Sequence, residues 1–313
     1  MATVKSVKVS NVMHVLKSGA ILSFLTLLFA ANVSAKLKVA SLHPIATDWL
    51  QQIGGNEVEV FAIAAHGEGF DPHRFKPTGS QIRLLESCDL IFAMGKGLEI
   101  YLEELRDALR PGQKIIEIGR TIPSQKVDVD DPIYACCPNH SLGSIDPHWW
   151  NNVRYAERGV RVVARAFSDA DPANKEAYQE RGAALASELK KLHLWVKSEV
   201  ATIPKEQRTL VTAHAAFAYF CKEYGFEAHY VKGLSNDAEI PAKQLATTLR
   251  RLRAQKIRAV FPEKNVNQKM LMEIAREIGC EIGEPLDAEG GAYPSYNTMI
   301  RQNLSRIVTA LRP

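Results

Sequence analysis

The sequence lacks any apolar run that is long enough to cross a membrane as a helix. Its longest such run, GAILSFLTLLFA at 19–30, has twelve residues, whereas a spanning helix needs about 20. Three lysines precede this run, and the compact residues VSA at 33–35 follow it. This order is typical of a secretory signal peptide. We therefore predict a cleaved signal peptide over 1–35 and a mature chain outside the cytoplasm; a retained N-terminal anchor is the alternative.

The sequence also lacks an excess of charge of one sign. It holds 39 Lys and Arg against 35 Asp and Glu, which gives a formal net charge of +4. Residues 1–35 carry three lysines and no acidic residue, so their removal lowers the net charge from +4 to +1. A near-neutral chain has no strongly basic surface of the kind that nucleic acids require. We therefore predict no nucleic-acid partner.

Cysteine is scarce, and none lies near the predicted cleavage point, so a lipid anchor on an N-terminal cysteine is not expected. The mature part holds five cysteines: Cys88, Cys136, Cys137, Cys221 and Cys280. An odd number in an oxidising compartment leaves at least one thiol unpaired. The adjacent Cys136 and Cys137 are open to two interpretations. They are soft metal ligands, or one of them joins a disulfide and the other is incidental.

Short apolar strands alternate with helical segments twice along the chain. The predicted strands are 36–41, 58–64, 89–95 and 114–119, and then 208–213, 227–233, 257–262 and 280–286. Such alternation indicates βαβ units around mostly parallel sheets. We therefore predict an N-terminal α/β lobe at 36–168 and a C-terminal α/β lobe at 205–313.

The segment between the predicted lobes has a different pattern. Residues 174–200 contain no proline and one glycine, and their apolar residues recur at helical spacing. A helix of this length spans about 40 Å, because each residue adds about 1.5 Å. We therefore predict one long rigid linking helix within 169–204.

The tripeptide Asp-Pro-His occurs twice, in DPHRF at 71–75 and in DPHWW at 146–150. An Asp-Pro step restricts the backbone and favours a turn, so each copy presents its histidine from a defined loop position. A third histidine, His214, follows the first strand of the second lobe. Ligands of open α/β sheets bind beyond the carboxyl ends of the strands. His73, His148 and His214 are therefore candidate ligands, with capping or packing as the alternative for each.

Acidic residues follow the last predicted strand, in IGEPLDAEGGAYPSY. Glu284 and Asp287 both lie there, and each is either a ligand or a solvated loop charge. Three neutral imidazoles and one carboxylate suit zinc, and they tolerate manganese or iron. A complete set of four ligands leaves no open position for a reacting water, which favours binding over catalysis.

An alternative from another class is a secreted zinc hydrolase. Such an enzyme needs an open coordination position and a positioned base, but the sequence contains neither HExxH nor GxSxG. Glu68 and Asp287 are the acids that could be assigned as the base. A metal-dependent adhesin would use the same four-ligand site and is the third interpretation. We predict a binding protein that is not an enzyme.

The motifs resemble those of the metal-specific periplasmic solute-binding proteins of ABC transporters, which import zinc or manganese. The resemblance covers nearly all of 36–313 and rests on DPHRFKPTGSQ, DPHWW, AHAAFAYFCKEYG, VFPEKNVNQK and YNTMIRQN. It implies two α/β lobes with mostly parallel sheets, joined by one long rigid helix. It also implies a periplasmic protein that binds a divalent metal ion and passes it to a membrane permease. We further expect a monomer.

The resemblance also implies the ligand set. Each of the first three segments supplies one ligand of the family, which corresponds to His73, His148 and His214. The fourth is an acid about a dozen residues before a tyrosine of the last helix, which corresponds to Glu284. The family usually has Asp there, and Asp287 lies close by. Manganese-type members carry Glu where His214 stands, so the resemblance implies Zn²⁺ as the transported ligand, with Mn²⁺ or Fe²⁺ as the alternative.

Two further departures from the family concern loops. Many zinc members have a histidine-rich acidic loop before the second histidine, whereas residues 120–145 are short and contain YACCPNHS. Cys136, Cys137 and His140 in this segment either collect metal or belong to an incidental surface loop. His66 lies close to the first Asp-Pro-His copy. It either competes as a ligand, guards the entrance or is an exposed loop histidine.

Overall fold

The computed structural model of the chain describes residues 35–64, 71–126, 145–231, 242–264 and 267–313. Four expectations from the sequence fall outside these residues: the signal peptide up to residue 34, His66, the candidate base Glu68, and the segment with Cys136, Cys137 and His140. Residues Lys36–Pro313 form one compact unit. None of the described helices combines the length and the apolar character that crossing a bilayer requires.

The first lobe is built on a parallel sheet of four strands with the order β2-β1-β3-β4. The strands are β1 (Leu37–Ser41), β2 (Val58–Ala62), β3 (Leu90–Ala93) and β4 (Lys114–Glu117). The helices are α1 (Pro44–Gly54), α2 (Gly79–Glu86) and α3 (Leu102–Ala108). All residues of the inner strand β3 are apolar and buried, as expected for a parallel sheet covered on both faces. The chain order reverses between β1 and β3, where open α/β sheets bind their ligands.

Two long helices lie between the two sheets in the chain, α4 (Val153–Ala170) and α5 (Lys175–Ala201). Helix α5 is the helix predicted at 174–200, and its predicted apolar positions are all buried: Tyr178, Leu185, Leu189, Leu192, Val196 and Val200. Helix α4 was not predicted, although its buried residues recur at helical spacing: Ala156, Val160, Val163 and Phe167. The rings of Phe167 and Tyr178 lie 5.3 Å apart, so α4 packs against the start of α5. Packing against α4 therefore stabilises the long helix α5.

Gly182 allows α5 to approach α4 closely, because an added Cβ would lie 2.5 Å from the Cβ of Ala164. Gly182→Ala is therefore expected to lower the free energy of unfolding by about 1–3 kcal/mol, since the helices must separate to relieve the overlap. Gly79→Ala in α2 is the matched control, because the nearest atom to its added Cβ is 3.9 Å away. Denaturant unfolding measures both variants. Equal unfolding midpoints would contradict the close packing of the helices.

The second lobe repeats the arrangement of the first, with a parallel sheet of order β6-β5-β7-β8. The strands are β5 (Thr209–Thr212), β6 (Glu227–Tyr230), β7 (Ala259–Phe261) and β8 (Glu281–Ile282). The helices are α6 (Ala218–Tyr224), α7 (Ala242–Ala254), α8 (Lys269–Ile278) and α9 (Tyr296–Leu311). Strand β8 is shorter than the predicted 280–286, because pairing after Ile282 is reduced to one bridge between Glu263 and Leu286. The prediction of two α/β lobes is confirmed; the boundaries 36–168, 169–204 and 205–313 stay predictions.

Aromatic residues from both lobes pack together. The ring of Trp49 in α1 lies 5.9 Å from that of Trp149 and 5.5 Å from that of Tyr296 in α9. The Tyr296 hydroxyl donates to the Trp150 carbonyl at 2.6 Å, and the Asp48 carboxylate accepts the Tyr296 backbone N–H at 2.9 Å. The DPHWW segment is therefore held between the lobes by apolar packing and by hydrogen bonds.

Candidate metal centre

The two Asp-Pro-His copies fold into the same local turn. In the first copy the Asp71 carboxylate accepts the backbone N–H of His73 at 2.9 Å. In the second copy the Asp146 carboxylate accepts the backbone N–H of His148 at 2.9 Å. A side chain that bonds the backbone two residues on forms an Asx-turn, and the proline between restricts the chain further. The repeated tripeptide thus presents two histidines in the same way, and their Nε2 atoms lie 3.0 Å apart.

Two of the histidines have a buried carboxylate at Nδ1. His214 follows β5, and Glu263 follows the neighbouring strand β7. The Glu263 carboxylate accepts the backbone N–H of His214 at 2.8 Å, and its Oε2 lies 2.5 Å from Nδ1. Asp146 lies 2.8 Å from Nδ1 of His148. A carboxylate at Nδ1 holds the ring proton there and leaves the Nε2 lone pair for a metal.

Glu289 lies in the loop after β8, and Asp287 determines the shape of this loop. The Asp287 carboxylate accepts three backbone N–H groups, those of Glu289, Gly290 and Ala292, at 2.8–3.1 Å. Asn303 of α9 accepts the backbone N–H of Asp287 at 2.9 Å. Gly290 has a φ of +79°, a conformation that glycine adopts without strain. Together these contacts make a tight turn that directs Glu289 inward.

Four side chains converge in the described part of the chain: His73, His148, His214 and Glu289. One candidate ligand atom from each lies within 4.8 Å of the other three. Oε1 of Glu289 is 3.4 Å from Nε2 of His148 and of His214, and 3.9 Å from Nε2 of His73. Ligands of a tetrahedral zinc are about 3.3 Å apart when each bond is about 2.0–2.1 Å. The cluster therefore has the size of a small four-coordinate metal site.

The structure brings the three predicted histidines together but does not bring Glu284 to them. Glu284 is exposed and precedes the turn that Asp287 holds. Asp287 is only 2% exposed, so its interpretation as a solvated loop charge is wrong. Glu289 occupies the fourth position, although it was not considered from the sequence. A count of residues back from the last helix selects Glu284, because such a count contains no information about the turn that Asp287 holds. The position of Glu289 directly before two glycines is the sequence signal that could have identified it.

Burial and the neighbouring acids act in opposite directions on the histidines. Burial lowers the pKa of His148, but the charges of Glu289 and Asp146 outweigh it and raise the pKa to about 9. Burial also lowers the pKa of His214, but Glu263 and Glu289 raise it to about 10. Burial raises the pKa of Glu289, yet the surrounding histidines hold it well below its ordinary value. The metal-free site therefore holds protonated imidazoles beside ionised carboxylates.

A fourth buried imidazole, His43, borders the cluster and was also missed from the sequence. It caps the start of α1, where its Nδ1 accepts the backbone N–H of Ile45 at 3.2 Å. Its Nε2 lies 3.7 Å from Oε2 of Glu289, and its ring packs against Trp150 with 4.9 Å between centroids. Burial lowers the pKa of His43, although Glu289 opposes this effect. His43 is therefore the neutral imidazole beside the cluster.

The fold and the site define a two-lobed α/β protein with a buried site of three imidazoles and one carboxylate. The family profile described as zinc-uptake complex component A, periplasmic (ZnuA), matches residues 39–310. The chain belongs to this family. The resemblance that was inferred from the sequence motifs is thereby confirmed. Members of this family are solute-binding proteins of transport systems. The family match gives no support to the alternative of a secreted zinc hydrolase.

The relatives of the chain are named for two different metals. The sequence is 30% identical over 293 residues to the zinc-binding protein TroA of Treponema pallidum, covering 90% of this chain and 91% of TroA. It is 28% identical over 291 residues to the manganese-binding lipoprotein MntA of Bacillus subtilis, covering 90% and 92%. The solved structure of periplasmic zinc-binding protein TroA from Treponema pallidum superposes with a TM-score of 0.78 at 25% identity. That superposition covers 89% of this chain and all of the TroA chain.

Proposed function

We propose that the protein captures a divalent metal ion, zinc in the first place, and delivers it to an ABC-type import permease. One observation carries the proposal: three imidazoles and one carboxylate from both lobes converge on a single buried point. The first lobe provides His73 and His148, and the second provides His214 and Glu289. A metal ion bound by all four joins the lobes, so the permease can distinguish the loaded from the empty form.

The donor set favours zinc over manganese. Three imidazole nitrogens and one carboxylate oxygen form a tetrahedral site of the kind that zinc occupies. Manganese prefers carboxylate, carbonyl and water oxygens in octahedral geometry. The name of TroA agrees with zinc, and the name of MntA keeps manganese as the second candidate. Iron is the remaining alternative, since imidazole ligands also suit it.

Binding without catalysis also belongs to the proposal. Four protein ligands complete a tetrahedral shell, which leaves no position where a metal-bound water could react. The low net charge of the mature sequence supports a protein without a nucleic-acid partner. We expect the protein to act as a monomer, because the site is complete within one chain.

Export by a cleaved signal peptide completes the proposal. The family is described as periplasmic, and residues 1–35 have the order of charged, apolar and small residues that signal peptidases recognise. Cleavage before Lys36 would release the mature chain into the periplasm. The intact mass of the exported protein tests this step. A mass that includes a lipid would indicate a protein anchored by that lipid and would contradict release of the mature chain.

One tight zinc ion per mature chain is the expected stoichiometry, because one set of four ligands lies among the residues that the structure describes. Metal analysis of protein purified without added metal, followed by calorimetric titration with zinc and with manganese, measures it. Zinc should bind more tightly than manganese. Two equally tight zinc ions would contradict the single site and indicate a second one at Cys136, Cys137 and His140.

A further inference from the structure

The first strand of each lobe ends in the same pattern, a hydroxyl residue followed two positions later by a histidine. The Ser41 hydroxyl donates to the carbonyl of His43 at 2.8 Å, and the Thr212 hydroxyl donates to the carbonyl of His214 at 2.8 Å. Strands β1 and β5 also hold the same place in the order of their sheets. His43 is therefore the first-lobe counterpart of the candidate ligand His214. Both rings approach the Glu289 carboxylate, His214 at Oε1 and His43 at Oε2.

The two histidines differ in the partner of Nδ1. At His214 this partner is the Glu263 carboxylate, an acceptor, so Nδ1 carries the proton and Nε2 offers a lone pair. At His43 the partner is the backbone N–H of Ile45, a donor, so Nδ1 provides the lone pair. A neutral imidazole that accepts at Nδ1 carries its proton on Nε2. His43 therefore presents an N–H group to Glu289 and has no lone pair to offer a metal at that atom.

Packing holds the His43 ring in this orientation. Trp150 lies 4.9 Å from the ring of His43 and 5.4 Å from the ring of His148. The indole N–H of Trp150 donates to the carbonyl of Ala288 at 2.8 Å, directly before Glu289 in the chain. Trp150 thus contacts His43, the candidate ligand His148 and the backbone next to Glu289. These contacts hold the three groups in fixed positions relative to one another. His43 cannot turn its lone pair toward the cluster without giving up the cap of α1.

We propose that His43 is a positioning residue that holds Oε2 of Glu289 and thereby keeps this carboxylate a one-oxygen ligand. Oε1 faces the three histidines of the cluster, so Oε2 is the oxygen that would form a second bond to the metal. Nε2 of His43 faces Oε2 across 3.7 Å, and a hydrogen bond formed over this gap when the metal binds Oε1 would disfavour that second bond. One bonded oxygen gives the four ligands of tetrahedral zinc, whereas two give a larger coordination number that manganese accepts. His43 therefore favours zinc over manganese, and this inference rests on the proposed metal-binding function.

Two variants separate the positioning role of His43 from its cap. His43→Asn keeps an acceptor near the position of Nδ1, and Asn is a good N-cap, but it has no group that reaches Oε2. His43→Gln places an amide N–H near the position of Nε2 and loses most of the cap. For His43→Asn we expect the ratio of zinc to manganese affinity to fall at least about tenfold, the size of effect that partners of metal ligands have. His43→Gln should keep the wild-type ratio and lower the melting temperature of the metal-free protein.

Calorimetric competition with each metal gives the ratio, and visible absorption of bound Co²⁺ gives an independent signature of coordination number. The wild type should show the strong bands of four-coordinate Co²⁺, and His43→Asn should show weaker bands. A wild-type ratio in His43→Asn, or equal losses for both metals, would overturn the inference. If His43→Asn fails to fold, His43→Ser replaces it, because Ser is also a good N-cap and does not reach Oε2; the same fall of the ratio is expected, and an unchanged ratio would overturn the inference. Failure of the wild type to bind either metal would instead contradict the proposed function.

Discussion

Replacing Glu289 by glutamine is expected to weaken zinc binding more than about a hundredfold, while Glu284→Gln leaves it unchanged. Changing a partner of a metal ligand typically costs about 10–100-fold in affinity, and changing the ligand itself costs more. Glutamine has the shape of glutamate but lacks its negative charge, so the three imidazoles lose their compensating anion. Glu284 is the matched control, because it is an acid of the same loop and is exposed outside the cluster.

The same pair of variants also changes how much zinc stabilises the protein. A ligand that binds only the folded state stabilises it in proportion to the logarithm of its affinity, so a hundredfold loss removes about 2.7 kcal/mol at a fixed free zinc concentration. Thermal unfolding of both variants with and without zinc measures this difference. If Glu284→Gln lost the zinc-dependent stabilisation while Glu289→Gln kept it, the assignment of the fourth ligand would be wrong by five residues.

Zinc binding at pH 7 is expected to release about two protons, because two imidazoles must become neutral before they can bind the metal. The pKa of His148 is raised to about 9 and that of His214 to about 10, so both rings are protonated at pH 7 in the metal-free protein. Each released proton makes zinc affinity rise about tenfold per pH unit. With about two protons, the affinity should rise about a hundredfold per pH unit until the pH approaches 9. The ordinary histidine pKa of about 6.5 would place this dependence below pH 7.

Calorimetric titration in buffers of different ionisation enthalpy counts the released protons. Glu263→Gln provides the control, because it removes the charge that raises the pKa of His214 most. This variant should release about one proton fewer at pH 7. Zinc binding that releases no protons at pH 7 would contradict the raised pKa values. So would a zinc affinity that stays constant between pH 7 and pH 9.

The same pKa shifts determine how the stability of the metal-free protein depends on pH. A histidine whose pKa is raised by folding contributes stability below its unfolded pKa of about 6.5. That contribution is lost as the pH rises through the folded values, which are about 9 for His148 and about 10 for His214. The metal-free protein therefore loses this contribution at alkaline pH, where zinc competes best for the site.

The sequence was sufficient to predict the parts of the molecule that depend on local pattern. Apolar periodicity identified the two sheets and the helix α5, because buried faces repeat with the period of the element. The Asp-Pro-His copies identified His73 and His148, since the Asx-turn is encoded within three residues. His214 was identified from its place after a strand, which the topology of parallel sheets makes a binding position.

The remaining residues of the site depend on contacts between distant parts of the chain. Glu289 points inward only because Asp287 collects the backbone N–H groups that follow it. Glu263 approaches His214 because β7 pairs with β5, a contact over 49 positions. His43 approaches Glu289 across the two lobes. The spacing of residues along the sequence does not predict these contacts. The sequence does contain one sign of His43, the hydroxyl-x-His pattern that occurs at both 41–43 and 212–214.

We expect one zinc ion to bind to three imidazole nitrogens and one carboxylate oxygen. X-ray absorption at the zinc edge of the purified, zinc-loaded protein tests it most directly. We expect four nitrogen or oxygen ligands at about 2.0–2.1 Å, with the scattering pattern of imidazole rings. A zinc–sulfur distance of about 2.3 Å would instead place the metal on cysteine and contradict the site formed by His73, His148, His214 and Glu289.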